Sequence, residues 1–129
     1  MTRIVLIIGI GGFIGTIARY LSQQFIYKFY PATFPIGTMS VNLFGCLLIG
    51  IFYALSERGN LLSPEWRMFL TTGLCGGFTT FSTFSYESVQ LLNDGEYMYV
   101  TVYALASMII GILATIFGIW ITKTIFQTL

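Results

Sequence analysis

The sequence predicts an all-α integral membrane protein with four transmembrane helices. Of its 129 residues, 56% are hydrophobic and only 9% are charged, whereas about a quarter are charged in an average soluble domain. The mean hydropathy is +0.83. Six basic plus five acidic side chains are too few to cover a water-soluble globule of this length. The whole chain, residues 1–129, is therefore expected to form a single membrane domain.

The same composition excludes several classes of function. A net charge of +1 creates no strong field to attract nucleic acid or acidic substrates. The absence of histidine rules out histidine-based acid–base catalysis, catalytic triads and histidine metal sites. Cys46 and Cys75 lie in apolar stretches, without zinc-site spacing or a secreted disulfide pattern.

Four apolar stretches are long enough to cross a hydrocarbon core of about 30 Å, which takes about 20 helical residues. They cover approximately residues 4–26, 36–55, 66–92 and 98–126. The connectors between them are short and carry Pro, Gly, Asn and Asp, which mark turns. Connectors this short predict antiparallel neighbouring spans. The first span is too long for a signal-peptide core and contains Arg19, so we expect it to be retained.

The first span contains closely spaced glycines at Gly9, Gly11, Gly12 and Gly15. This spacing is superficially that of a dinucleotide-binding loop, which also requires a preceding strand, a βαβ unit and a later acidic residue. The sequence has none of these. Small residues at such spacing instead favour close packing between membrane helices.

Two polar residues within the spans each leave two interpretations open. Arg19 either extends its charge to the membrane surface or lies at the mouth of an anion pathway, because a cation at this depth is costly. Asn42, near the start of the second span, either holds two helices together or offers its N–H groups to a passing anion.

The third span is predicted to be a broken helix. Gly73, Gly76 and Gly77 lie near its centre, followed by Thr79 and Thr80, and such residues are poor helix formers. A break over residues 76–80 would free backbone carbonyls, which survive in a membrane only within protein or beside a cavity. Carbonyls freed there can ligate a cation. The alternative is a continuous helix whose Ser and Thr hydroxyls bond to the preceding turn.

Aromatic residues follow this break. Phe81 and Phe84 are three residues apart and share a helix face. The edge of an aromatic ring is electropositive and can contact a small anion, although a role in packing is commoner. Glu87 is the only carboxylate within a span. Either it lies near the helix end, in contact with water in a vestibule, or it carries protons or substrate in an exchanger.

Tyr103 and Ser107 are one turn apart in the fourth span. They can form a polar strip with Ser82 and Thr83, or they can be ordinary packing residues. A thin four-helix bundle has little interior for a water-filled path, so the sequence favours a homo-oligomer with its function at the subunit interface.

Three strings together resemble the Fluc (CrcB) family of small microbial fluoride channels over essentially the whole chain. They are Gly11-Gly12-x-x-Gly15-x-x-x-Arg19-Tyr20, Gly37-Thr38-x-x-Val41-Asn42-x-x-Gly45 and Gly73-x-x-Gly76-Gly77-x-Thr79-Thr80-Phe81-Ser82-Thr83-Phe84-Ser85-x-Glu87. The third string is long and unusual, which makes the resemblance specific.

This resemblance implies an antiparallel, dual-topology homodimer in the cell membrane of a microbe. Two pores along the subunit interface would passively export cytoplasmic fluoride, without enzymatic activity and without a nucleotide. By resemblance, the fluoride contacts and the polar track comprise Asn42, Phe81, Phe84, Ser82, Thr83, Tyr103 and Ser107. Arg19 and Glu87 would lie in vestibules. The backbone carbonyls of Gly76 and Thr79 from both subunits would hold a central structural sodium ion.

Two other functions are compatible with a small four-span membrane protein. Small multidrug-resistance exporters depend on a carboxylate in the first span, where this chain has Arg19 and no acid. A non-transporting assembly subunit would leave the string around Phe81 unexplained.

Basic residues show a modest bias between the two ends of the bundle. Four basic residues lie at one end and one or two at the other. By the positive-inside rule, this difference of two or three charges favours an orientation with both termini inside the cell. The resemblance, in contrast, requires that both orientations occur. The first group is Arg3, Arg58, Arg67 and Lys123; the second is Lys28, with Arg19 if it reaches the surface.

Overall fold

The computed structural model describes residues 1–126, with the side chain of Asn60 excepted. Over these residues the protein is helical without strands. Its elements are α1 (Thr2–Phe29), α2 (Ile36–Glu57), a 3-10 turn (Gly59–Leu61), α3 (Pro64–Met68), a π-helical segment (Phe69–Cys75), α4 (Gly76–Phe78), α5 (Phe81–Asn93) and α6 (Tyr97–Phe126).

Among the described residues, three helices are long and apolar enough to cross a membrane: α1, α2 and α6. In the most apolar windows of α1 and α6, only 11% of the residues are buried. A water-soluble fold would bury such sequences, so the fold is that of a helical membrane protein whose outer faces meet lipid or another subunit.

The predicted third span is divided at Thr79 and Thr80, inside the interval where the break was expected. Both residues are extended, with φ/ψ of −95°/158° and −151°/121°. Gly76 itself remains helical at φ −62° and ψ −38°, so the two threonines form the break and the paired glycines do not. Thr80 caps α5, because its Oγ1 accepts a hydrogen bond from the Thr83 N–H at 3.2 Å.

Helix α1 packs backbone to backbone against the first half of the divided segment. A Cβ on Gly15 would overlap the Leu74 carbonyl oxygen, and one on Gly77 would overlap the Gly12 carbonyl oxygen. A Cβ built on Gly9 would meet nothing within 4 Å, but the other three glycines of that spacing, Gly11, Gly12 and Gly15, serve helix packing. They place α1 directly behind the break.

Two ion pairs identify one end of the bundle. Arg3 lies 3.7 Å from Glu65, and Lys123 lies 3.5 Å from Glu57. The start of α1 and the ends of α2 and α6 are therefore neighbours. Helix α1 therefore runs antiparallel to α2, whereas α2 and α6, which the divided segment separates in the sequence, run parallel.

Candidate functional site at the helix break

The break opens onto a groove of about 680 Å³ on one face of the subunit. The wall is mainly apolar, with a few polar groups at the break itself. The residues singled out from the sequence that line it are Asn42, Gly76, Thr79, Phe81, Phe84 and Ser107. Cys46 and Cys75 also line it as free thiols, which the sequence analysis had not connected to the site.

The side chain of Asn42 joins α2 to the break. Its Nδ2 donates to the Thr80 carbonyl oxygen at 3.0 Å, and its Oδ1 accepts from the Thr80 N–H at 2.8 Å. Asn42 therefore does connect two helices. A carboxamide has two N–H hydrogens, so one remains beyond the bond to Thr80.

The hydrogen bonds at the break free two particular carbonyls. In a continuous α-helix, the Thr80 N–H would donate to Gly76 and the Thr83 N–H to Thr79. Here the first donates to Asn42 Oδ1 and the second to Thr80 Oγ1. Gly76 and Thr79 both line the groove. Carbonyl oxygens without N–H donors are suitable ligands for a hard monovalent cation.

Gly76 has space around it within its own chain. The nearest atom to a Cβ built there is the Thr71 carbonyl oxygen at 4.0 Å. Packing inside the subunit therefore does not require glycine at this position, in contrast to Gly15.

Arg19 lies behind the break. Its Nε donates to the Gly77 carbonyl oxygen at 3.1 Å, a carbonyl that the Phe81 N–H would occupy in an unbroken helix. Among residues 1–126, the guanidinium has no other hydrogen bond or ion pair. Four of its five N–H groups thus remain for another ligand.

The aromatic residues form a short series along α5 and α6. The Phe81 and Phe84 ring centroids are 5.6 Å apart, and those of Phe84 and Tyr103 are 4.7 Å apart. The Phe81 side chain is 79% exposed on the subunit, although it is large and apolar. The Ser107 Oγ is buried and has no hydrogen-bond partner among the described residues.

The four residues of the expected polar strip differ in their contacts within the subunit. Ser107 lines the groove, whereas Ser82 and Thr83 lie at the start of α5 with their hydroxyls 3.3 Å and 3.0 Å from Thr80 Oγ1. Tyr103 donates its hydroxyl hydrogen to Glu87 Oε2 at 2.7 Å.

Glu87 receives a second hydroxyl, from a residue that the sequence analysis did not single out. Thr38 Oγ1 donates to Glu87 Oε1 at 2.6 Å, and Gln23 Nε2 donates to Thr38 Oγ1 at 3.0 Å. Glu87 also lines a separate cavity of about 270 Å³, together with Asp94. The available signal was polar side chains inside apolar spans, but nothing in the sequence connected these residues to Glu87.

Comparison with known proteins gives a consistent family assignment. The family model described as "CrcB-like protein, Camphor Resistance (CrcB)" matches residues 6–119. A fluoride-specific ion channel FluC from Chlorobium phaeobacteroides is 49% identical over 118 residues, covering 92% of this chain and 91% of that protein. The protein of the same name from Phocaeicola vulgatus is 48% identical over 118 residues, covering 92% and 97%. That from Leptospira interrogans serovar Lai is 43% identical over 122 residues, covering 95% and 96%.

Proposed function

This chain belongs to the CrcB-like family, and on that premise we propose that it is a passive, fluoride-selective channel. The relatives quoted above are named fluoride-specific ion channels. Its three long apolar helices suit a multi-pass membrane protein. Its place is the cell membrane, where it exports fluoride from the cytoplasm.

One observation carries the proposal: the buried hydroxyl of Ser107, which has no partner within residues 1–126, lies in the same groove as Asn42 and two phenylalanine rings. Leaving a buried polar group unbonded costs about 1–3 kcal/mol, so a ligand that accepts its hydrogen is expected. Fluoride is small and strongly hydrated, and it needs donors to replace water. The Ser107 hydroxyl, the second Asn42 N–H and the ring edges of Phe81 and Phe84 are such donors.

A second copy of the chain is needed to enclose the path. The groove is open on the subunit surface, and Phe81 is largely exposed there. An antiparallel copy would bring its own break to the same depth in the membrane and cover both grooves. The result is a dual-topology homodimer with two pores, each lined by both subunits.

The break also suits a structural sodium ion. The Gly76 and Thr79 carbonyls lose their N–H donors to Asn42 and Thr80. Gly76 has no side chain to obstruct an approach from outside the subunit. Two carbonyls from each chain would surround one ion on the dimer axis, and its charge would offset carbonyl dipoles that are otherwise costly at this depth.

The physiological direction follows from the chemistry of fluoride. Hydrogen fluoride crosses bilayers as a neutral acid and ionises in a less acidic cytoplasm, where the anion is trapped. A passive pore lets that anion leave along its electrochemical gradient. No phosphate-binding loop is found in the sequence, as expected for a channel that uses no nucleotide.

Release of fluoride from liposomes, followed with a fluoride electrode, tests this function. We expect the purified protein to release fluoride but little chloride. Ser107→Ala should slow release at least about tenfold, because a hydrogen bond to a charged group contributes about 1.5–3 kcal/mol. Ser88→Ala is the matched control, since that hydroxyl bonds the Phe84 carbonyl at 2.8 Å. Absence of fluoride release by the unmodified protein would favour an exporter or an assembly subunit and would overturn the proposal.

A further inference from the structure

One stripe of α1 contacts the first half of the divided segment directly and is linked to the second half only through Thr38. Gly11, Gly15, Arg19 and Gln23 follow each other at four-residue intervals and share a face. The glycines touch the backbone of the π-helical segment, and Arg19 bonds the Gly77 carbonyl oxygen before the break. Gln23, one turn further, bonds Thr38, which in turn reaches Glu87 beyond the break.

The Thr38 hydroxyl lies between the Gln23 amide and the Glu87 carboxylate. The Thr38 hydroxyl has one hydrogen, and its oxygen already accepts from Gln23 Nε2 at 3.0 Å. That hydrogen is directed to Glu87 Oε1 at 2.6 Å, while the Tyr103 hydroxyl is directed to Oε2 at 2.7 Å. The Glu87 carboxylate on α5 thus binds Thr38 of α2 and Tyr103 of α6 directly, and Gln23 of α1 through Thr38.

Burial makes this arrangement difficult to replace. Thr38 and Tyr103 are both fully buried, at 0% exposure. Water therefore does not reach either hydroxyl, and loss of its bond to Glu87 leaves that hydroxyl without its acceptor. Glu87 is held beside the cavity that it shares with Asp94, and it is absent from the lining of the groove that contains Asn42 and Phe84.

We propose that Gln23 is a positioning residue for the pore: it fixes Thr38 as a donor and thereby holds the Glu87 carboxylate clear of the groove. The inference rests on the proposed function for its consequence in transport. Without the Gln23 amide, the Thr38 hydroxyl is free to turn from Glu87. The carboxylate then has one fixed donor instead of two, and its negative charge can enter the path and repel fluoride.

The chain offers a matched pair of glutamines for the test. Gln24 is exposed on the same helix, and its side chain makes no hydrogen bond within residues 1–126. We expect Gln23→Met to lower fluoride release about tenfold and Gln24→Met to leave it unchanged. Thr38→Val, which keeps the shape but removes the hydroxyl, should act like Gln23→Met. Thr38→Ser, which keeps the hydroxyl, should release fluoride at the rate of the unmodified protein.

A double-variant cycle separates positioning from packing. If Gln23 acts through the charge of Glu87, adding Gln23→Met to Glu87→Gln should change release by less than about twofold. The same tenfold loss in both backgrounds would assign Gln23 to packing and overturn the proposal.

Infrared spectra of protein with carbon-13-labelled glutamate give a readout that does not depend on transport. Glu87→Gln identifies the Glu87 carboxylate band. That band should shift in Gln23→Met and should not shift in Gln24→Met. A band that is unshifted in both variants would overturn the proposal. This readout holds even if the Glu87→Gln variant releases no fluoride. Should the unmodified protein release no fluoride, the function fails while the band shift still decides the role of Gln23.

Discussion

Asn42 and Thr80 exchange two hydrogen bonds across the break, at 3.0 Å and 2.8 Å. The carboxamide thereby replaces the peptide group that a continuous helix would have supplied. It takes the Thr80 N–H that would otherwise donate to the Gly76 carbonyl oxygen, and it leaves one of its own hydrogens for a ligand. The same side chain thus shapes the carbonyl cluster and the groove.

Asn42→Asp is expected to stop fluoride release and to destabilise the fold. An ionised carboxylate cannot donate to the Thr80 carbonyl and faces it with like charge. An unsatisfied bond of this kind costs about 1–3 kcal/mol, measurable by thermal unfolding in detergent. Asn93→Asp, at the exposed end of α5, is the control and should behave like the unmodified protein. Normal fluoride release by Asn42→Asp at a pH where the acid is ionised would contradict this prediction.

Phe81→Ile and Phe84→Ile should each reduce fluoride release sharply while the protein elutes from gel filtration at the same size as the unmodified protein. Isoleucine keeps apolar bulk but lacks the electropositive ring edge. Phe13→Ile is the control, because Phe13 is 68% exposed on α1 and has no ring contact within residues 1–126. If both substituted channels released fluoride at the unmodified rate, the ring edges would have no part in conduction.

Much of the fold was predictable because apolar spans and turn residues are local signals. The stretches near 4–26, 36–55 and 98–126 lie within the observed α1, α2 and α6. The break was predicted from poor helix formers, but its placement at Thr79 and Thr80 depends on Asn42, which is 38 residues from Thr80. A partner this distant in sequence is not visible in a local pattern.

The site was predicted only in part for the same reason. Phe81 and Phe84 share a face by spacing alone, and both line the groove. Gln23 and Thr38 are single polar residues on different helices, and only the packing of α1, α2 and α5 brings them to Glu87. Dimerisation and sodium binding remain predictions, since they concern groups outside a single chain.

Gly15→Ala and Gly76→Ala should have opposite consequences. A methyl group at Gly15 overlaps the Leu74 carbonyl oxygen, so we expect little folded protein. At Gly76 the nearest atom of the subunit is 4.0 Å from the new carbon, so the subunit should fold. The methyl group would instead crowd the carbonyls proposed to bind sodium.

Sodium dependence gives the measurement for this comparison. Replacing sodium by a large organic cation should lower the Tm of the unmodified protein, because a ligand at 100 times its Kd stabilises by about 2.7 kcal/mol. Gly76→Ala should show no such response. The ion is expected to be static, and stoichiometric sodium movement with fluoride would refute a structural role.

The distribution of charged residues bears on the orientation of the protein in the membrane. The ion pairs Arg3–Glu65 and Lys123–Glu57 place four charged groups at one end of the bundle. Arg58 lies there as well, since its guanidinium donates to the Phe126 carbonyl oxygen. Counting Arg67, four basic residues at this end face Lys28, with or without Arg19, at the other. A difference of two or three charges is a weak topological signal and permits insertion both ways, which an antiparallel dimer requires.

A small reactive tag placed after Leu129, itself outside the described residues, tests this. An impermeant reagent added to intact cells should label the tag on about half of the molecules, as expected when opposite orientations are equally populated. Labelling near zero or near completion would establish a single orientation, and the antiparallel dimer would have to be abandoned.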